Sequence, residues 1–87
     1  RMTFNEFSRE IERALIPVNG ERDKIAYVVL GQDVDTKSAF NAVCGTPQEL
    51  ANMLCLRMIE NEQFANAVEA AWMTYKMWQE NQSQSRN

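Results

Sequence analysis

KIAYVVL, Lys24 to Leu30, is the stretch that decides the fold. Its β-branched and aromatic residues favour a pleated backbone, and no glycine or proline interrupts them. It is apolar on both faces, so both must be covered or shared. Gly31-Gln32-Asp33-Val34-Asp35-Thr36 then reads as a loop, and Lys37 to Cys44 (KSAFNAVC) as a strand returning antiparallel. On that strand Phe40, Ala42 and Cys44 share one face, and Ala39, Asn41 and Val43 the other. A lone two-stranded hairpin is marginal in water and leaves two open edges. Helices can shield both faces, or the hairpin can pair with its copy in a four-stranded sheet. The two-sided apolar strand favours the second arrangement, which makes Tyr27 and Val29 candidate interface residues.

Helices are expected on either side of this hairpin. Thr3 and Glu6 have the spacing of a capping box, and Phe4, Phe7, Ile11, Ala14 and Leu15 recur at helical spacing behind them. Glu6, Ser8, Arg9, Glu10, Glu12 and Arg13 face mainly outward. Pro17 is expected to end this helix, because the residue before a proline is pushed from the α region. Asn19-Gly20 marks a turn suited to positive φ, with a short edge strand over Ile16–Val18 as one option.

After Gly45, Thr46-Pro47-Gln48-Glu49 forms a second capping box with proline at the first helical position. This predicts a helix from Pro47 to Glu60, with Leu50, Met53, Leu54, Met58 and the stem of Arg57 inward. Ala51, Cys55 and Ile59 widen that stripe to more than half the circumference. Asn61 caps a third helix, expected over Glu62–Glu80. Phe64, Val68, Ala71, Trp72, Tyr75 and Trp78 form one stripe on it, with Ala65, Ala70, Met73 and Met77 beside it. The expected fold is therefore α+β, an antiparallel β-hairpin packed by three helices in the order α-β-β-α-α. One domain spans residues 2–80, and 81–87 form a polar disordered tail.

Composition narrows the function classes. The 87 residues are 45% hydrophobic and 24% charged, a globular balance. The net charge of −3 argues against a general nucleic-acid binder, which needs a basic field to displace counterions. A local patch of Arg9, Arg13, Arg22 and Lys24 keeps nucleic acid as an alternative partner, although Glu6, Glu10 and Glu12 offset it. Two cysteines are too few for the disulfide framework of a small secreted domain. The opening residues lack an apolar signal core, and no run approaches the ~20 residues of a membrane span. A soluble cytoplasmic protein is expected.

Candidate chemistry is sparse. The absence of histidine removes Ser-His and Cys-His pairs and most zinc and iron sites. Cys44 precedes a helix N-terminus and Cys55 lies among apolar residues. A thiol enzyme is one reading of them, and two buried small hydrophobes is the more economical one. Asp33 and Asp35 resemble the start of a calcium loop, but the sixth and twelfth positions are Ser38 and Cys44, not glycine and glutamate. Glu49, Glu60 and Glu62 lie at helix ends, where capping accounts for them. No phosphate-binding glycine motif is present, and the amides near Gly45 are spent on Thr46 and Glu49. No catalytic residue, metal site or cofactor is expected.

Trp72-Met73-Thr74-Tyr75-Lys76-Met77-Trp78 stands apart. Trp72 and Tyr75 share one face and Met73 and Met77 another, and these residue types are enriched at protein interfaces. Core packing is the competing reading, and base stacking a weaker one, lacking its basic groove. The expectation is a non-enzymatic interaction protein, a homodimer presenting an apolar helical surface, with Tyr27, Val29, Trp72, Met73, Tyr75, Met77 and Trp78 as interface candidates. A second protein is a further possible partner.

Overall fold

The capping boxes form as the spacing predicts. Glu6 N–H donates to Thr3 Oγ1 at 3.1 Å, and Thr3 N–H donates to Glu6 Oε1 at 3.2 Å. They open helix α1, Phe4–Val18. The computed structural model describes residues 1–21 and 24–85. Its strands are β1, Tyr27–Gln32, and β2, Ala39–Cys44, followed by helices α2, Pro47–Glu60, and α3, Glu62–Ser85. The fold is α+β in the expected order α-β-β-α-α. The chain divides into two compact units, Arg1–Asn52 and Met53–Asn87.

In the first unit, Pro17 does not stop α1. It lies inside the last turn, and the Asn19 N–H closes that turn on Leu15 O. Only the bond to Arg13 O is lost, because a proline has no N–H to give. The optional strand over Ile16–Val18 is therefore helix. Asn19–Glu21 continues as a 3₁₀ turn without positive φ. Lys24 N–H and Ile25 N–H both donate to Glu21 O. With those amides spent, β1 begins at Tyr27 instead of Lys24. Its other end runs through Gly31 to Gln32, past the expected loop start.

The strands pair antiparallel, with Tyr27 opposite Cys44, Val29 opposite Ala42 and Gly31 opposite Phe40. Opposed residues share a face, so these six form one side of the hairpin. All six are half-buried. Phe40 stacks on Phe4 of α1 at 5.6 Å between centroids and meets Phe7 edge-on at 5.6 Å. Tyr27 OH donates to Asn19 Oδ1 at 2.9 Å. Phe4, Ile11, Leu15 and Val18 form the half-buried stripe of α1 together with Ser8, which was expected outside. Phe7 and Ala14, expected in the stripe, are exposed, Phe7 by 44%. Among the described residues no side chain is fully buried.

The strand connection is organised by Asp33. Its Oδ1 accepts from Asp35 N–H at 2.9 Å and Thr36 N–H at 3.0 Å. Lys37 N–H donates to Asp33 O, and Lys37 sits at φ 67°, in the left-handed region. A residue in that conformation cannot continue a ladder, so β2 starts at Ala39 instead of Lys37. The bonds from the Thr36 amide, and then the Asp35 amide, hold the Asp33 carboxyl below the usual carboxylate range. The unfolded chain takes up this proton near pH 4. The contribution to stability is therefore complete above that value and is lost as pH falls through the lower folded value. Urea midpoints measured between about pH 5 and pH 3 should fall, and the fall should be smaller in Asp33→Asn, which keeps the acceptor but does not titrate.

At α2 the second capping box joins Thr46 N–H to Glu49 Oε1 at 2.7 Å and Glu49 N–H to Thr46 Oγ1 at 3.2 Å. Leu50, Met53, Leu54 and Met58 are half-buried as expected. Ala51, Cys55 and Ile59 do not widen that stripe: all three are exposed, Ile59 by 76%. α3 continues five residues past its expected end, so 81–85 are helix and not tail. Polar Gln, Asn and Ser extend an existing helix at modest cost once its nucleus is formed. Arg86 and Asn87 of the expected tail lie outside the described residues.

Candidate interaction surface

One residue separates α2 from α3. Asn61 N–H donates to Arg57 O, and Asn61 O accepts from Ala65 N–H, both at 3.0 Å. Asn61 Oδ1 caps α3 by accepting from Phe64 N–H at 3.0 Å. The single residue Asn61 therefore closes the last turn of α2 and opens the first turn of α3.

Helical periodicity sorts the apolar residues of α3 onto two sides. Phe64, Val68, Ala71, Tyr75 and Trp78 follow one line, with Trp72 at its margin. Met73 and Met77 lie on the opposite side, with Ala70 beside them. Phe64, Ala65 and Val68 are half-buried. Further along, Trp72, Tyr75 and Trp78 are 58%, 48% and 56% exposed, and Met73 and Met77 are 66% and 65% exposed.

The aromatic residues are arranged against one another. Tyr75 stacks on Trp78 at 6.0 Å between ring centroids with planes 16° apart, and Trp72 lies 6.1 Å from Tyr75. Lys76 Nζ sits 5.1 Å from the centre of a Trp72 ring, a cation–π distance. The hydroxyls of Thr74 and Tyr75 are partnered locally. Gln79 Nε2 donates to Tyr75 OH at 3.0 Å, and Thr74 Oγ1 donates to Ala70 O at 2.9 Å. Rings already held by their neighbours lose less side-chain freedom when a partner covers them.

Tyr27 and Val29 belong to the first unit and lie on the hairpin face that carries the Phe40 cluster and the Asn19 bond. The more exposed apolar residues of the hairpin are Leu30, at 70%, and Val43, at 56%, on the other face. Sequence reasoning did not single these out. The signal was the strict alternation of strand faces, once Phe40 is known to meet α1.

The other candidates remain dispersed. Cys44 is half-buried and Cys55 exposed, and both are free thiols. No group of acidic and cysteine residues that could hold a metal occurs among the described residues. Of the basic patch, Arg13 pairs with Glu10, and Lys24 lies 3.6 Å from Glu21; Arg22 lies outside the described residues. Among the described residues, no helix is long and apolar enough to cross a membrane. The chain matches no protein-family model, no curated protein and no solved structure.

Proposed function

We propose that this protein is a non-enzymatic interaction module that works as a homodimer by presenting an apolar helical surface. The observation carrying this reading is the exposure of Trp72, Met73, Tyr75, Met77 and Trp78 within two turns of α3. On the aromatic side, at roughly 220 Å² for each residue, Trp72, Tyr75 and Trp78 offer about 350 Å² of surface, and Met73 and Met77 add an exposed pair on the opposite side. Apolar patches of several hundred Å² on a soluble domain mark interaction sites more often than chance exposure. Arg13 and Lys24 each lie against a carboxylate, and the net charge of −3 does not favour nucleic acid instead.

The test is solution mass by light scattering on a sizing column over a hundredfold range of concentration. Twice the chain mass, falling toward one chain on dilution, is expected. A single chain mass at every concentration would overturn the homodimer.

A further inference from the structure

We infer that the aromatic side of α3 is covered by α3 of a second copy, lying parallel and in register. This rests on the homodimer reading above and assigns its seam. Phe64, Val68, Ala71, Tyr75, Trp78 and Gln82 are separated by alternating steps of four and three residues, the heptad spacing that keeps one line of a helix facing a partner helix. The positions flanking this line are Ala65, Trp72 and Gln79 on one side and Ala67, Thr74 and Asn81 on the other. None is charged. Glu69, Lys76 and Glu80 fall farther round the helix, so two copies meet without like charges opposed. Thr74 and Tyr75 have local hydrogen-bond partners and need none from across the seam.

The three aromatics supply over half of the area that a pair needs. Trp72, Tyr75 and Trp78 together expose about 350 Å² per chain, taking roughly 220 Å² for each aromatic residue. A stable interface at the lower limit needs about 600 Å² per partner. Phe64, Val68 and the flanking residues, along a seam of five turns, supply area toward the remainder. The direction follows from the polarity of the line. In register and parallel, each apolar layer meets its own kind and Gln82 meets Gln82. Antiparallel about Tyr75, Val68 would meet Gln82. The parallel pair also sets the small Ala67 of one copy beside Trp72 of the other. Met73 and Met77 lie on the opposite side and stay outside the seam.

The experiment uses the full chain. Light scattering is measured for the wild type, for Tyr75→Glu and Trp78→Glu, and for Met73→Glu and Met77→Glu, with circular dichroism to check helix content. The Tyr75 and Trp78 variants are expected to weaken dimerisation at least a hundredfold with helix content kept, and the methionine variants less than threefold. Register is read separately from Gln82→Cys in a Cys44→Ala, Cys55→Ser background under mild oxidation, where a disulfide-linked dimer is expected. A wild-type monomer would overturn this inference and the homodimer reading together, leaving the aromatic side to another part of the chain. A dimer indifferent to Tyr75→Glu and Trp78→Glu would overturn the seam alone and point to the hairpin edges. Dissociation by those variants without Gln82 cross-linking would overturn the parallel register.

Discussion

Gly31→Ala is expected to destabilise the protein by about 2 kcal/mol, in the range of overpacked sites. A Cβ at Gly31 would overlap Cζ of Phe40 and lie 2.5 Å from its Cε1. The ring cannot swing toward α1, because Phe4 stacks on it and Phe7 meets it edge-on. Elsewhere in a strand, alanine stabilises relative to glycine by restricting the unfolded chain, so the sign of this change is specific to the ring. Thermal unfolding should fall by roughly 10 °C, given the size of the domain. In a Phe40→Leu background the same change should cost little or become favourable. A full cost retained there would mean that the ring is not what excludes a side chain at position 31.

Phe40→Ala is expected to have a comparable effect, about 2 kcal/mol. Burial of a whole phenylalanine is worth about 3–5 kcal/mol on truncation, and this one is only half-buried. The loss is concentrated because Phe40 joins β2 to both Phe4 and Phe7 of α1 and covers Gly31 of β1. With Phe40 gone, α1 loses the ring contacts of Phe4 and Phe7 with the hairpin, and Gly31 loses the ring that covers it. Denaturant titration should show the midpoint falling. An unchanged midpoint would mean that α1 is held to the hairpin by other contacts, such as Tyr27 with Asn19. Together the single changes and their double variant form a cycle in which contacting residues should fail to add.

Much of the secondary structure was legible because its signals are local. Thr3 with Glu6, Thr46 with Glu49, and Asn61 each satisfy amides a turn away, so spacing alone announces where the helices start. The ends of elements were less legible. Pro17 looked like a stop, but a proline in a final turn costs a single ladder bond, and the chain around Asn19 absorbs it. Lys24 and Lys37 read as strand residues until their neighbours' hydrogen bonds are known. Glu21 O captures the amides of Lys24 and Ile25, while Asp33 draws Lys37 into a left-handed turn.

The candidate surface divides in the same way. Trp72, Tyr75 and Trp78 recur at helical spacing, so their shared side follows from the sequence, and so does the separation of Met73 and Met77 from it. Which side of KIAYVVL is covered does not follow, because its residues are apolar at both parities. Phe40 makes that choice by stacking on α1, which turns Tyr27 and Val29 inward and leaves Leu30 and Val43 outward. The sequence by itself determined the helix starts, the hairpin and the grouping of side chains along α3, since each depends on neighbours within a few residues. Only the tertiary structure decided the hairpin's inner face, the need for glycine at position 31 and the exposure of the α3 aromatics. Each of these depends on which residues of other elements lie against a position, not on its neighbours in sequence.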